Sequence, residues 1–257
     1  MRAGLKGQKV LVTRAAHQAQ AFSKQIIRNG GISYEIPLLE VVCKQEVWKD
    51  MDTVKLMDYD WIFFTSVNGA HCFFNHMESI GFEMERFASQ QFAAVGHKTE
   101  AVLQAYDFKA DFVPTLYNAE TMANEFLQQF EHPGKVLFIR GNRSRNTLLE
   151  EFSKAGLSYD SLEIYDTDFR LCAKQELEHA WNTVSFDYIT FTSPSAVDAF
   201  YNMLETTAQQ HHEPVCVCIG TTTEKRAKYY GFQRIIYPQQ FTIDDMIDCM
   251  ISYNERK

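Results

Sequence analysis

Two short stretches carry the residues best suited to chemistry. "DWIFFTSVNGA" places Thr65, Ser66, Asn68 and Gly69 directly after an apolar run. "DYITFTSPSAV" places Thr192, Ser193 and Ser195 in the same position much later in the chain. Small hydroxyl and amide side chains between a strand and a helix suit helix capping, and Ser66, Asn68, Ser193 and Ser195 read as N-caps. A helix N-terminus presents unpaired N–H groups and a partial positive charge, which favour a carboxylate or phosphate. The segments Gly96 to Thr99 and Gly220 to Thr223 hold the same kind of position. Arg14, Arg140, Arg143 and Arg145 follow two further apolar strands and can add positive charge. Any one of these residues can equally serve only its own helix; the paired occurrence argues for a ligand.

The familiar catalytic devices are missing from the sequence. It contains no GxGxxG after the first strand, no GxxxxGK[ST], no HExxH and no GxSxG, and "GNRSRN" is not a phosphate loop. The eight histidines form no ligand pattern, and His211-His212 reads as a solvated loop. The six cysteines lack a framework spacing. Cys216 and Cys218 share one face of an apolar strand and are expected to pack as small core residues. Neither a metal nor a cofactor is expected.

The elements that must position these residues come as a repeat. "KVLVTR" returns as "KVLFIR", "GISYE" as "GLSYD", "AVGHKTE" as "CIGTTTE", "YDF" as "YGF" and "FVP" as "IYP", all about 125 residues apart and in order. Each copy alternates strand-like runs with helical patterns. Ala21, Phe22, Ile26 and Ile27 form one helix face before Gly30-Gly31, and Ala70, Phe73, Phe74, Met77 and Ile80 form another. Further helices are expected from about 97 and about 119. Strands alternating with helices give parallel sheets covered on both faces, so two doubly wound parallel-sheet α/β domains are expected. The extended segments 38–46 and 162–170 occupy corresponding places and can pair as antiparallel connectors. The chain then either crosses from one domain to the other and returns, or forms a simple tandem with its boundary near Glu131-His132-Pro133-Gly134.

Composition narrows the function. A chain of 257 residues with 46% hydrophobic content has material for two cores. A net charge of −8 without a basic run argues against a nucleic-acid surface. No apolar run reaches membrane-span length, and the first residues carry no apolar signal core, so a cytoplasmic protein is expected.

In order, "VLVTR", "DWIFFTSVNGA", "AAVGHKT", "VLFIRGNRSRNTL", "LEIYDT", "DYITFTSPSAV" and "CIGTTTEKRA" resemble uroporphyrinogen-III synthases over about residues 9 to 238. The resemblance implies two α/β domains joined by a two-stranded β connector, with the active site in the cleft. One domain is then 1–38 plus 168–257, the other 44–162. The implied activity converts hydroxymethylbilane, a linear tetrapyrrole with eight carboxylates, to uroporphyrinogen III. The ring closes with inversion of ring D and loss of water, through an azafulvenium cation and a spiro-pyrrolenine intermediate, without metal or cofactor. Such chemistry rests mainly on orientation of the substrate. Tyr165, in "EIYDT", matches the family's cleft tyrosine and is the catalytic candidate, donating a proton or hydrogen bond to the departing hydroxyl.

Thr99 and Thr223 match family threonines, with Thr222 an alternative to the second. Thr13, Arg14, Arg140 and Gly141 lie in the matching strand-end motifs. Together with Thr65, Ser66, Asn68, Gly69, Gly96, Thr192, Ser193, Ser195 and Gly220 they form the expected substrate-binding set. Asn68-Gly69 is expected to allow closer backbone approach to the ligand than the second elbow. The expected partners are the tetrapyrrole substrate and product and transient contact with neighbouring pathway enzymes, with no nucleic acid or membrane. A monomer is expected. The alternative is a non-catalytic two-domain binder or sensor of a small anionic ligand.

Overall fold

A computed structural model describes residues 4–50, 53–116, 119–204 and 213–256. His211 and His212 lie outside the described residues. In chain order the elements are β1 (Lys9–Val12), α1 (Ala16–Arg28), β2 (Ile32–Glu35), β3 (Leu39–Cys43), α2 (Val47–Asp50), β4 (Trp61–Phe64), α3 (Val67–Ser79), β5 (Gln91–Ala94), α4 (His97–Ala105) and α5 (Ala119–Gln129). There follow β6 (Val136–Gly141), α6 (Thr147–Lys154), β7 (Tyr159–Phe169), α7 (Lys174–Thr183), β8 (Tyr188–Phe191), α8 (Pro194–Met203), β9 (Val215–Cys218), α9 (Thr221–Tyr229), β10 (Ile235–Ile236) and α10 (Ile243–Glu255).

The chain divides into two compact units. The first comprises Met1–Glu40 and Asp168–Lys257, the second Val41–Thr167. The first unit holds a sheet of order β10-β9-β8-β1-β2, the second a sheet of order β3-β7-β6-β4-β5. The registered pairs β1–β2, β1–β8, β8–β9, β9–β10, β4–β5, β4–β6 and β6–β7 are all parallel. β3 and β7 run antiparallel: Lys44 N–H meets the Ile164 carbonyl, and Arg170 N–H meets the Leu38 carbonyl.

The sequence repeat and the compact units are out of phase. β1 and β2 of the first copy share a sheet with β8, β9 and β10 of the second copy. β6 and β7 of the second copy share a sheet with β4 and β5 of the first. Matched by the repeat, β9-β8-β1-β2 and β5-β4-β6-β7 have the same order. "DFVP", read as a strand, contributes only an isolated parallel bridge between Ala93 and Phe112. The first copy breaks between β2 and β3 at Pro37, which has no N–H for a ladder. The second copy has Leu162 at that place, and β7 continues unbroken through eleven residues.

Alternation along each strand feeds two cores, as a sheet covered on both faces requires. In the first unit, Val10 and Val12 pack with Phe22 and Ile26 of α1 and Met246 and Met250 of α10. Leu11 turns the other way, toward Leu177, Val197 and Phe200 of α7 and α8. In the second unit, Ile62 and Phe64 pack with Phe73, Phe74 and Met77 of α3. Trp61 and Phe63 pack with Phe126 and Phe152 of α5 and α6.

The repeated aspartates have a structural use. The Asp60 carboxylate accepts from Lys135 N–H at 2.7 Å, just before β6. The Asp187 carboxylate accepts from Lys9 N–H at 2.9 Å, at the start of β1. Each aspartate fixes the register of its own strand against the neighbouring parallel strand.

The cysteines require one correction. Cys43 of β3 and Cys72 of α3 form a disulfide, with Cα atoms 5.5 Å apart, although their spacing gave no framework. The pairing follows from β3 lying at the edge of the sheet that α3 covers. Cys216 and Cys218 are buried on β9 with sulfurs 3.7 Å apart, as neighbours on one strand face.

Candidate active site

In the second unit the carboxyl ends of the strands converge on Tyr165. β7 carries a register shift against β6: Arg140 faces Glu163, and the next residue, Gly141, faces Tyr165. Ile164 is the extra residue, so this is a bulge, a device that re-aims a side chain. Its effect is that Ile164 and Tyr165 both join the core beneath α3. Tyr165 is 6% exposed, and its hydroxyl lies 2.9 Å from Ser66 Oγ. The Tyr165 ring lies across Gly141, where an added Cβ would sit 2.3 Å from the ring carbon Cζ. Gly141 is therefore the absence of a side chain that admits the tyrosine.

The strand behind the ring is fixed from the same turn. Asn142 N–H donates to the Tyr165 carbonyl at 3.2 Å. Thr167 N–H donates to Asn142 Oδ1 at 3.0 Å, and Arg143 Nε donates to the Thr167 carbonyl at 2.7 Å. Lys44, just after β3, reaches Asp166 at 2.8 Å, and that hydrogen bond raises the lysine pKa. Asn142 was absent from the expected set; the signal for it was its place between Gly141 and Arg143 at the end of a repeated strand.

The elbows are helix caps of matching geometry. Ser66 precedes α3 with φ −159° and ψ 154°, and its hydroxyl accepts from Gly69 N–H at 3.0 Å. Ser193 precedes α8 with φ −159° and ψ 157°, and accepts from Ala196 N–H at 3.2 Å. Asn68 and Ser195 are not caps, because each stands two positions inside its helix. Gly69 corrects a second expectation: it is buried, an added Cβ would meet Ile139 at 3.4 Å, and its N–H is taken by Ser66. Its smallness serves helix-to-strand packing rather than ligand approach. Thr65 Oγ1 donates to the Ile139 carbonyl at 3.1 Å.

Gly96 caps α4 at φ +95°, a conformation that favours glycine. Thr99 is 2% exposed and bonds back to the Val95 carbonyl at 3.4 Å, so its hydroxyl serves the helix. Arg140 is 7% exposed and donates to the Ser144 carbonyl at 2.7 Å and to Asn146 Oδ1 at 2.9 Å.

In the first unit the expected residues divide in the same way. Thr13 is fully buried and donates to the Thr190 carbonyl at 2.7 Å, while Thr190 donates to Leu11. These two threonines join β1 to β8, and Thr13 is not accessible to a ligand. Arg14 is half-buried and bonds Gln18 at 2.6 Å; burial lowers its pKa. Thr192, Ser193 and Ser195 remain partly accessible. Gly220 caps α9 beneath the Phe241 ring, 2.9 Å from where its Cβ would sit. Thr222 is exposed and Thr223 is 2% exposed, so of the two alternatives Thr222 is the one that meets solvent. Among the described residues no cluster of three or more His, Cys, Asp or Glu side chains is arranged to hold a metal ion. Among the same residues no helix is long and apolar enough to cross a membrane.

Two mostly parallel sheets, each with capped helices opening at the carboxyl ends of its parallel strands, define a two-unit α/β protein of the kind that binds ligands at strand ends. Against known families, residues 20–248 match the profile described as Uroporphyrinogen-III synthase HemD, and the chain belongs to the uroporphyrinogen-III synthase family of tetrapyrrole biosynthesis. The Uroporphyrinogen-III synthase of Chlorobaculum parvum is 26% identical over 235 residues, covering 90% of this chain and 93% of that protein. The Porphyrin biosynthesis protein HemD of Ruminiclostridium josui is 25% identical over 254 residues, covering 98% of this chain; the chain spans about half of that protein, 49%. Among solved structures, uroporphyrinogen-III synthetase from Helicobacter pylori superposes with a TM-score of 0.67 at 16% identity, covering 96% of this chain and 99% of that one. A mutant uroporphyrinogen III synthase from Thermus thermophilus gives 0.63 at 14% identity, covering 98% and 100%. These two likenesses establish the fold.

Proposed function

We propose that this chain itself converts hydroxymethylbilane to uroporphyrinogen III, and that Tyr165 is its catalytic residue. The observation that carries the assignment is the bulge-directed placement of the Tyr165 hydroxyl against Ser66 at the start of α3. A phenol there can donate a hydrogen bond to the departing hydroxyl while Ser66 orients it. Once the hydroxyl leaves, the electron-rich pyrrole carries the cation. The protein's remaining task is to hold ring D so that its substituted carbon attacks. In the second unit the first turns of α3 and α4, and in the first unit those of α8 and α9 with the Arg14 guanidinium, each offer donors suited to a carboxylate. Thr65, Ser66, Thr192, Ser193, Ser195 and Thr222 are the accessible hydroxyls of the expected set. In this reading the protein works as a cytoplasmic monomer, passing substrate and product through transient contact with neighbouring pathway enzymes.

The test is purified protein mixed with freshly prepared hydroxymethylbilane, followed by isomer analysis. Accelerated formation of the type III isomer is expected. Type I product alone, at the spontaneous rate, would leave a non-catalytic binder of an anionic ligand.

A further inference from the structure

The second unit contains a cavity of about 490 Å³ at the ends of β4, β5 and β6. Its apolar lining is made by Val95, Phe138, Leu148 and Leu149. Its polar lining is made by Thr65, Glu120, Arg140, Ser144, Arg145 and Thr147. Arg140 is more than nine-tenths buried, yet both of its acceptors, the Ser144 carbonyl and Asn146 Oδ1, are neutral. Its Nε is shielded from solvent and meets no acceptor among the described residues. A buried guanidinium without a counter-charge is costly unless an anion arrives. The neighbouring helix adds to the same demand. Asn146 precedes α6 but makes no side-chain cap, because its oxygen is given to Arg140. The first turn of α6 thus keeps amides without a side-chain partner, and its residues Thr147 and Leu148 line the cavity.

We propose that this cavity is a carboxylate subsite that takes a carboxylate borne on a short hydrocarbon arm. The apolar lining receives the arm, and Arg140, Arg145 and the start of α6 receive the charge. Inorganic phosphate would leave the apolar residues without a partner, and Glu120, which also lines the cavity, disfavours a dianion more than a single carboxylate. The identification of the arm as one of the substrate's own rests on the cyclase reading above.

Two variants test this, Arg140→Gln and the exposed Arg145→Gln, each first checked for folding by circular dichroism. With hydroxymethylbilane as substrate, each variant raises KM by about 10–100-fold, the worth of one charge-assisted contact, while kcat changes little. Titration with uroporphyrin III, an octacarboxylate that is not turned over, shows an affinity loss of the same size; inorganic phosphate does not protect wild type against thermal unfolding. Unchanged KM and unchanged porphyrin affinity in folded Arg145→Gln overturn the subsite, even if Arg140→Gln fails to fold. Protection by phosphate alone overturns the carboxylate-arm assignment. If wild type makes no type III isomer, the cyclase reading falls, and the porphyrin titration still decides the subsite.

Discussion

The Tyr165 hydroxyl and Ser66 Oγ stand 2.9 Å apart, and Ser66 also accepts the N–H of Gly69. The phenol is thus tied to the first turn of α3. Tyr165→Phe removes the donor and keeps the ring on Gly141. General acid help is worth about 10²–10⁴-fold, and a pyrrole that ionises partly unaided needs less of it. Type III turnover should therefore fall on the order of 10–100-fold. Ser66→Ala should cost less in turnover and about 1 kcal/mol in stability through the lost cap. Full activity in Tyr165→Phe beside inactive but folded Ser66→Ala would reverse these roles.

Gly141→Ala tests the seat of the ring. The new methyl would overlap Tyr165, and overpacking of this kind costs about 1–3 kcal/mol. Urea unfolding should show that loss, and turnover should fall at least as far as in Tyr165→Phe. A stable Gly141→Ala enzyme of normal turnover would mean that the ring position is unimportant.

Cys43 and Cys72 close a loop with a sequence separation of 29. Loop-closure entropy sets the expected contribution at about 3–4 kcal/mol, with strain reducing it. Reductant, or the Cys43→Ser/Cys72→Ser pair, should lower the urea midpoint by a corresponding amount. Thiol titration of denatured protein should find two more thiols after reduction. Six thiols without reductant would refute the bond.

Alkaline stability has a defined sign. Tyr188 is 1% exposed, its hydroxyl donates to the Met250 carbonyl, and burial raises its pKa above the ordinary 10.0. The folded state then holds a proton that the unfolded chain releases. Stability from this group is complete below pH 10.0 and declines above it, by about 1.4 kcal/mol per pH unit. The Cys216 thiol, raised chiefly by burial, adds the same sign above its ordinary 9.0. Urea midpoints across this range should fall more gently in Tyr188→Phe; parallel curves would exclude Tyr188.

Dialysis against a chelator should leave type III formation intact, since the expected donors are hydroxyls, amides and guanidinium groups. Loss of activity that added metal restores would contradict this.

The two sheets could be read from the repeat because each strand and its elbow are written twice, down to Asp60 and Asp187. The elbows were legible as caps, yet the cap itself fell on Ser66 and Ser193, with Asn68 and Ser195 too deep in their helices. Thr13 and Thr99 look like site residues in sequence because a hydroxyl at a strand end is the same letter whether it meets a ligand or a neighbouring carbonyl. Burial separates the cases, and burial depends on strands far away in sequence. The bulge at Ile164 was invisible for a related reason. It changes no residue type, only the register of β7 against β6. Gly141 was noticed by its motif, while its reason, the ring of Tyr165, lies 24 positions further along the chain.

The out-of-phase arrangement also has a consequence for synthesis. As the chain leaves the ribosome, β1, α1 and β2 emerge well before β8, the neighbour that continues their sheet on the other side of β1. The segment Val41–Thr167 emerges next as an unbroken stretch with every strand of its sheet near completion. The nascent segment from β1 to β2 must therefore wait, with the apolar faces of α1 and β1 unsatisfied, until β8 is translated. Chaperone protection during translation is needed most by β1, α1 and β2.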